Sequence, residues 1–327
     1  MTNELLVSDV LADEQRNFCN VYLDDNDDTR LPLTDSLYYT ETEYIDLINQ
    51  ESYSDLNHLS IISLNVANLL SKLSSLKLFL NNISTTQKRP DIIVVVETHI
   101  SSVTDTGYTP DELANIIQGY NFFYRGRINK RGGGVGIFVR KDINSDAKEC
   151  IEIHSKVNYI DEVFEYITVE IPDFIPTQHG NRKRNLIISA VYRPPNNNNF
   201  DTFNNEMRKL LFASNKRKNE VIIAGDFNLD LLKYDTHQPT ASYLELVTEQ
   251  KLLPRIVRPT RIKKQSATLI DHILSSDTGI TITSGIIDTE LAGGSGYTDH
   301  FPTFVVLKVG AVKKTKSEFV EKVFFHN

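Results

Sequence analysis

The segment Val221-Ile222-Ile223-Ala224-Gly225-Asp226-Phe227-Asn228 places a carboxylate and a carboxamide two residues apart after an apolar run. Val221 to Ala224 is predicted as a strand buried on both faces, and Gly225 permits an abrupt turn after it. Alternate residues at a strand end project to the same side. Asp226 is therefore expected to face a cleft as base or ligand, with Asn228 beside it as a neutral orienter. The competing reading is an Asx-rich turn behind a core strand. Three other apolar runs end in polar, reactive residues: 59–65 in Asn65, 91–97 in Glu97 and 185–192 in Tyr192. A glutamate directly after five β-formers is costly to bury unless it is paired or binds a cation; its alternative is a strand-end side chain in solvent. Asp271 and His272 interrupt the apolar run 268–274, and Asp299 and His300 precede the strand-like stretch 303–309.

Carboxylates and amide oxygens suit a hard cation such as Mg²⁺, with Mn²⁺ as its substitute. There is no thiolate set and no His-rich spacing, which argues against zinc. Such a cation beside one prominent histidine suits phosphoryl chemistry: the metal neutralises phosphate oxygens, a carboxylate activates water and an imidazole stabilises the charged intermediate.

Several elements must position these groups. Leu69, Leu73, Leu76 and Leu80 recur at helical spacing and Pro90 stops that helix. Further helices are marked by Phe203, Met207, Leu210 and Leu211, and by Tyr243, Leu244, Leu246 and Val247. Strands are expected at 120–124 and 164–171. The triple glycine at 132–134 lacks P-loop spacing and is expected in a hairpin. The neighbouring Arg125, Arg127, Lys130 and Arg131 are expected in a solvated turn, with phosphate contact as the alternative. The loop 255–264 carries Arg255, Arg258, Arg261, Lys263 and Lys264 just ahead of the Asp271 strand, with contact to an anionic ligand beside the site as one reading and a solvated basic loop as the other.

The chain has 327 residues and a net charge of −8, unevenly spread. Residues 1–57 hold 14 acidic and 2 basic residues, leaving 29 acidic and 33 basic in the remainder. The first segment is expected to be a mostly disordered acidic leader, with a short helix at 43–51. The body, 58–309, is mildly basic and permits an anionic partner. Residues 310–327 are expected to be a linker or tail. No apolar run approaches the ~20 residues of a membrane span, and the two distant cysteines, Cys19 and Cys150, suit a reducing compartment.

Taken in order, Ser63-Leu64-Asn65, Val96-Glu97-Thr98, Val191-Tyr192-Arg193-Pro194-Pro195, Gly225-Asp226-Phe227-Asn228, Thr268-Leu269-Ile270-Asp271 and Thr298-Asp299-His300 resemble the exonuclease–endonuclease–phosphatase superfamily, which includes DNase I and the apurinic/apyrimidinic endonucleases. The Tyr-Arg-Pro-Pro segment, Leu-Leu-Lys-Tyr-Asp at 231–235 and Arg-Pro-Thr-Arg at 258–261 resemble, more narrowly, the endonuclease domain of non-LTR (LINE-type) retrotransposons.

That resemblance implies an α/β fold, a four-layered sandwich of two packed sheets flanked by helices, with the site at one rim. It implies Glu97 as principal metal ligand with Asn65 and Asp299 nearby. Asp226 would deprotonate or orient water, Asn228 would hold that water or a phosphate oxygen, and Tyr192 would touch the phosphate. Asp271 would orient His300, which stabilises the pentacovalent phosphorus. Thr260, Thr268, Thr298, Arg258, Arg261, Lys263 and Lys264 would contact double-stranded DNA. Many repair enzymes carry an acidic residue where this chain has Ala67, which weakens a second metal position and favours plain nicking over abasic-site repair. The expected activity is a Mg²⁺-dependent DNA nick leaving a 3′-hydroxyl and a 5′-phosphate, priming a reverse transcriptase domain further along the chain. The expected location is intracellular, nuclear at the site of action. The alternatives are another hydrolase of the fold (abasic-site endonuclease, inositol-phosphate phosphatase, sphingomyelinase) or a catalytically silent nucleic-acid-binding module.

Overall fold

The computed structural model describes residues 36–49, 58–85, 88–101, 106–128, 130–143, 146–176, 183–195, 198–215, 219–263, 266–276, 281–289 and 298–308. The strands, in chain order, are β1 (Leu37–Thr40), β2 (His58–Asn65), β3 (Ile92–Val96), β4 (Tyr120–Arg125), β5 (Val135–Arg140), β6 (Lys148–Glu149), β7 (Glu165–Pro176), β8 (Lys183–Tyr192), β9 (Glu220–Asp226), β10 (Leu252–Pro254), β11 (Arg261–Lys263), β12 (Ser266–Thr268), β13 (Asp271–Ser276), β14 (Thr281–Asp288) and β15 (Thr303–Lys308). The helices are α1 (Glu41–Asn49), α2 (Leu73–Asn82), α3 (Pro110–Ala114), α4 (Ile151–His154), α5 (Phe200–Ser214) and α6 (Gln238–Glu249).

Two large mixed sheets result, in the orders β1-β14-β15-β2-β3-β5-β4 and β10-β13-β9-β8-β7-β6, with β11-β12 as a separate hairpin. Strand periodicity explains how the first sheet is buried on both faces. Ile92, Val94 and Val96 point into the core shared with Ile167, Ile188, Ala190 and Ile222 of the second sheet. Their neighbours Ile93 and Val95 point the other way, into a cluster with Tyr44 of α1, Leu76 and Phe79 of α2, and Leu113 of α3. On the far face of the second sheet, Phe203, Met207 and Leu210 of α5 and Tyr243 and Val247 of α6 close the core. The result is the expected sandwich of two sheets flanked by helices.

Three expectations need correction. Gly225 does not stop its strand: β9 runs on through Asp226. A Cβ at Gly225, whose φ is 147°, would sit 1.9 Å from the Val191 carbonyl oxygen, so the glycine permits the close approach of β8 and β9 just before the site. Of the leader, only 36–49 is described, and it carries a helix, α1, where a short one was expected near 43–51. Strand β1 pairs in parallel with β14, and Tyr44 is buried with its ring 5.0 Å from that of Phe304. The triple glycine does join the β4–β5 hairpin, and Lys130 and Arg131 are exposed as a solvated turn would have them, but Arg125 and Arg127 are not. Arg127 is buried and its Nε donates to Glu165 Oε1 at 2.7 Å, while Arg125 lies over the Tyr159 ring at 4.4 Å. Arg255 is likewise buried, donating to Ser275 Oγ at 2.5 Å, which removes it from any ligand-gripping loop. The tail 310–327 and Lys264 lie outside the described residues.

Candidate active site

Strand register brings the predicted residues to one rim. Asp226 at the end of β9 stands opposite Asp271 at the start of β13, and opposite Tyr192 at the end of β8. On the other sheet Asn65 ends β2 opposite Val96, and Glu97 follows β3 directly. The two rims are joined by one carboxamide: Asn65 Nδ2 donates to Glu97 Oε1 at 2.8 Å and to Asp226 Oδ2 at 3.0 Å. Its oxygen accepts from the Ala67 amide at 3.0 Å. Asn65 therefore clamps two carboxylates and presents its NH₂, where the resemblance implied an oxygen near a metal.

The second sheet supplies a buried acid–imidazole unit. His300 Nδ1 lies 2.9 and 3.0 Å from the two Asp271 oxygens and 3.9 Å from Asp226 Oδ2. Burial disfavours the imidazolium, but the charges of Asp271 and Asp226, the Asp271 hydrogen bond and Asp299 outweigh it and raise the His300 pKa to about 9. Burial first, then the neighbouring Asp271 charge, push the Asp226 carboxyl upward, so it holds a proton more readily than a free carboxylate. Asn228 is an Asx turn and a site neighbour at once. Its amide N–H donates to Asp226 Oδ1 at 3.0 Å and its side chain to the Arg193 carbonyl at 2.8 Å, with φ at 47°.

Thr260 is a correction. Its hydroxyl is buried, donates to Asp271 Oδ2 at 2.6 Å and accepts from the Asp271 amide at 3.0 Å, so it fixes Asp271 and cannot reach a DNA backbone. Asp299 is another. Arg261 Nε and Lys263 Nζ, from β11, bind its Oδ2 at 2.7 and 2.6 Å. Those two cations together with His300 offset its partial burial and hold its carboxyl down at about 2. Asp299 is thus ion-paired with the two residues expected to grip DNA. Thr268 pairs with Arg261 across the β11–β12 hairpin, Arg258 is half-buried, and Thr298 accepts the His300 amide at 3.2 Å.

The first sheet supplies the open half. The Glu97 side chain is about a quarter exposed. Burial alone would raise its carboxyl, but bonds from His99, Asn65 and Tyr192 bring it below the usual carboxylate range. Burial, then Glu97 and Asp226, push the Tyr192 phenol upward, keeping it a neutral donor. Glu97 and His99 both adopt left-handed backbone, at φ 55° and 57°, a conformation costing roughly 1–2 kcal/mol per non-glycine residue.

Two groups could hold a cation. Oxygen and nitrogen atoms of Asp226, Asp271 and His300 lie within 4.8 Å of one another. All three are buried; Asp271 is already bonded to His300 and Thr260, and Asp226 to Asn65 and the Asn228 amide. Glu97 fits a hard cation better, being ionised, partly exposed and at the mouth of the cleft.

Sequence reasoning missed two residues of the site, His99 and Arg193. His99 lies beside Glu97, with Nε2 3.7 Å from Oε2; its spacing of two from Glu97 was the available signal. Arg193 was noticed only as a strand terminator. Its guanidinium lies 4.4 Å from the Phe200 ring and donates to the Asn228 carbonyl at 3.2 Å, and burial lowers its pKa to about 10. His272, beside Asp271, is a core residue. Its ring stacks on Phe227 at 4.8 Å and meets the Tyr243 hydroxyl at 3.1 Å, and burial lowers its pKa to about 4.

No curated protein matches the sequence. Several solved structures share its fold. The AP endonuclease LMAP from Leishmania major is 15% identical, covering 80% of this chain and 90% of its own, with TM-score 0.57. The 3′ phosphatase NExo from Neisseria, solved with a product DNA hairpin, is 15% identical, covering 76% of this chain and 98% of its own, with TM-score 0.56. The endonuclease domain of TRAS1, a telomere-specific non-LTR retrotransposon, is 11% identical, covering 77% of this chain and 99% of its own, with TM-score 0.50. The profile of one family runs from Ile62 in β2 to His300, spanning every strand end that builds the rim, and so the chain belongs to the Endonuclease/Exonuclease/phosphatase family.

Proposed function

We propose that this chain is a divalent-metal-dependent DNA endonuclease that hydrolyses a backbone phosphodiester to a 3′-hydroxyl and a 5′-phosphate. The observation that carries the reading is the joined pair of rims: Asn65 ties Glu97 to Asp226, while His300 is held at 2.9 Å by Asp271. Mg²⁺, with Mn²⁺ as substitute, would be held at Glu97 and would supply charge neutralisation at the phosphate. Asp226 takes the proton of the attacking water, since its raised proton affinity suits a base. His300, protonated at neutral pH and held by Asp271, donates from Nε2 to the charge that develops on phosphorus-bound oxygen. The neutral Tyr192 hydroxyl donates to the same phosphate. The backbone around Asn228, fixed by Arg193, keeps Asp226 in register. As water adds to phosphorus the bond to the 3′ oxygen breaks, and that oxygen leaves with a proton as the hydroxyl.

The narrower reading is a nick that primes target-site reverse transcription of a non-LTR retrotransposon, in the nucleus, with a reverse transcriptase domain as partner. Its support is the Tyr192-Arg193-Pro194-Pro195 and Arg258-Pro259-Thr260-Arg261 segments and the shared fold of the TRAS1 domain.

The test is conversion of supercoiled plasmid to open circles with Mg²⁺ and with EDTA, alongside abasic-site duplex, 3′-phosphorylated DNA and an inositol phosphate. Metal-dependent nicking of undamaged plasmid, with ligatable 3′-hydroxyl ends, is the expected result. Turnover of only the damaged duplex, the 3′-phosphate or the inositol phosphate would replace the reading with another hydrolase of the fold, and binding without turnover would make it a silent module.

A further inference from the structure

The segment after β3 is built to turn two side chains outward together. Glu97 and His99 have left-handed backbone on either side of Thr98, which is buried. Backbone bonds lock this shape from both flanks. The Thr98 and His99 amides donate to the Gly134 and Gly133 carbonyls at 3.2 and 2.7 Å, and the Asn68 and Leu69 amides donate to the Glu97 and Thr98 carbonyls at 2.8 and 3.1 Å. A Cβ at Gly134 would come within 2.5 Å of Thr98 Oγ1, so the triple glycine brings the hairpin loop close enough to brace the turn. The outcome is a carboxylate oxygen and an imidazole nitrogen 3.7 Å apart, with side chains 25% and 35% exposed. Two donors that share one small cation through bonds of ~2.1 Å stand about 3 Å apart, so a small side-chain rotation closes the pair onto one ion.

Resting on the proposed metal-dependent hydrolysis, we propose that His99 is a second protein ligand of the cation held by Glu97, and that it biases this site toward Mn²⁺ over Mg²⁺. Imidazole nitrogen is a softer donor than carboxylate or water oxygen, and it favours first-row transition ions over Mg²⁺. Coordination uses the neutral ring with its proton on Nδ1, leaving the Nε2 lone pair for the ion. In the observed arrangement Asn65 turns its NH₂ to Glu97 Oε1 and its oxygen toward the Ala67 amide, whereas His99 Nε2 faces Glu97 Oε2. His99 thus adds a nitrogen donor beside that second carboxylate oxygen.

The full chain loaded with Mn²⁺ alone tests this by pulsed electron paramagnetic resonance, with affinity measured in parallel by titration calorimetry. Wild type should show ¹⁴N coupling from a directly bound imidazole. His99→Asn should lose that coupling and weaken Mn²⁺ about tenfold while moving Mg²⁺ by less than about twofold. His300→Ala should keep the coupling, which separates His99 from the other ring at the rim. If Mn²⁺ binds wild type and is lost in Glu97→Gln, yet no ¹⁴N coupling appears or His99→Asn retains it, the assignment to His99 is overturned while the metal-dependent reading stands. If no Mn²⁺ binding depends on Glu97, both fall.

Discussion

The two rims that meet at the site are built by opposite means. On the second sheet, Asp226, Asp271, His300 and Thr260 are buried; short hydrogen bonds join Thr260, Asp271 and His300, and Asn65 holds Asp226, so each is held before any ligand arrives. On the first sheet, Glu97 and His99 are partly exposed and owe their placement to backbone shape. Side-chain networks saturate their members; backbone scaffolding turns Glu97, which also takes a bond from Asn65, toward the mouth of the cleft. The buried rim therefore suits proton handling, which needs fixed partners, and the open rim suits capture of an ion. Burial costs are offset on one side by partners, and on the other by leaving the charge at the mouth of the cleft.

The largest effect should come from the buried pair. His300→Ala and Asp271→Asn are each expected to cut single-turnover nicking by about 10²–10⁴-fold, with the double variant little worse than either. Additive losses would show that the two act separately, and would break the contrast drawn between the rims. Glu97→Gln, which keeps shape and removes charge, should cost roughly 10²-fold or more in rate at saturating Mg²⁺, with thermal unfolding close to wild type. A large fall in melting temperature would place Glu97 among structural residues instead. Thr260→Val removes the hydroxyl beneath Asp271 and should destabilise the fold by about 1–3 kcal/mol, because it strands the buried Asp271 amide that donates to this hydroxyl. DNA affinity should not change, and a selective loss of affinity with stability intact would return Thr260 to the DNA surface.

The pH dependence follows from His300. Its folded pKa, about 9, lies above the ordinary value of 6.5. The imidazolium therefore contributes its full stabilisation below about pH 6.5 and loses it as pH rises through about 9, an effect on the order of a few kcal/mol at most. Denaturant midpoints should fall from neutral to alkaline pH, the nicking rate should drop above about pH 9, and Asp271→Asn should flatten both profiles. A His300 proton resonance titrating near its ordinary value would remove the charge assigned to the buried rim. The smallest effect belongs to the hairpin: Arg261→Ala with Lys263→Ala should weaken DNA binding and reduce its salt slope by about one to two phosphate contacts while sparing chemistry on bound substrate. An unchanged salt slope would confine both side chains to holding Asp299.

The sequence made much of this legible where a residue type is costly in its local setting. Glu97 after five β-formers and Asp271 within an apolar run stood out for that reason, and both lie at the rim. Double-sided strands such as β3 and β9 announced themselves by continuous Ile and Val. What stayed hidden depends on partners far along the chain. Arg127 reads as a surface turn until Glu165, 38 residues on, takes its guanidinium. Thr260 reads as a hydroxyl for a phosphate until Asp271 takes it, and the pairing of Arg261 and Lys263 with Asp299 is invisible until the β11 hairpin is in place. Strand β14, Thr-Ile-Thr-Ser-Gly-Ile-Ile-Asp, lacks a continuous apolar run and drew no notice beside its richer neighbours.

Strand β1 bears on where a working fragment must begin. It lies before residue 62, where the family match starts, and it covers the outer edge of β14. Two of its neighbouring contacts reach the stretch that carries Thr260: the Val257 amide donates to Ser36 Oγ at 2.9 Å, and the Tyr38 hydroxyl donates to the Pro259 carbonyl at 2.8 Å. A fragment cut at residue 58 would uncover a row of backbone amides and carbonyls ready to recruit a strand from another molecule. It would also slacken the support beneath Asp271. Such a fragment should self-associate and lose nicking together, while one starting before Ser36 stays monodisperse, so poor behaviour of a minimal catalytic piece would reflect an unprotected border and not a faulty site.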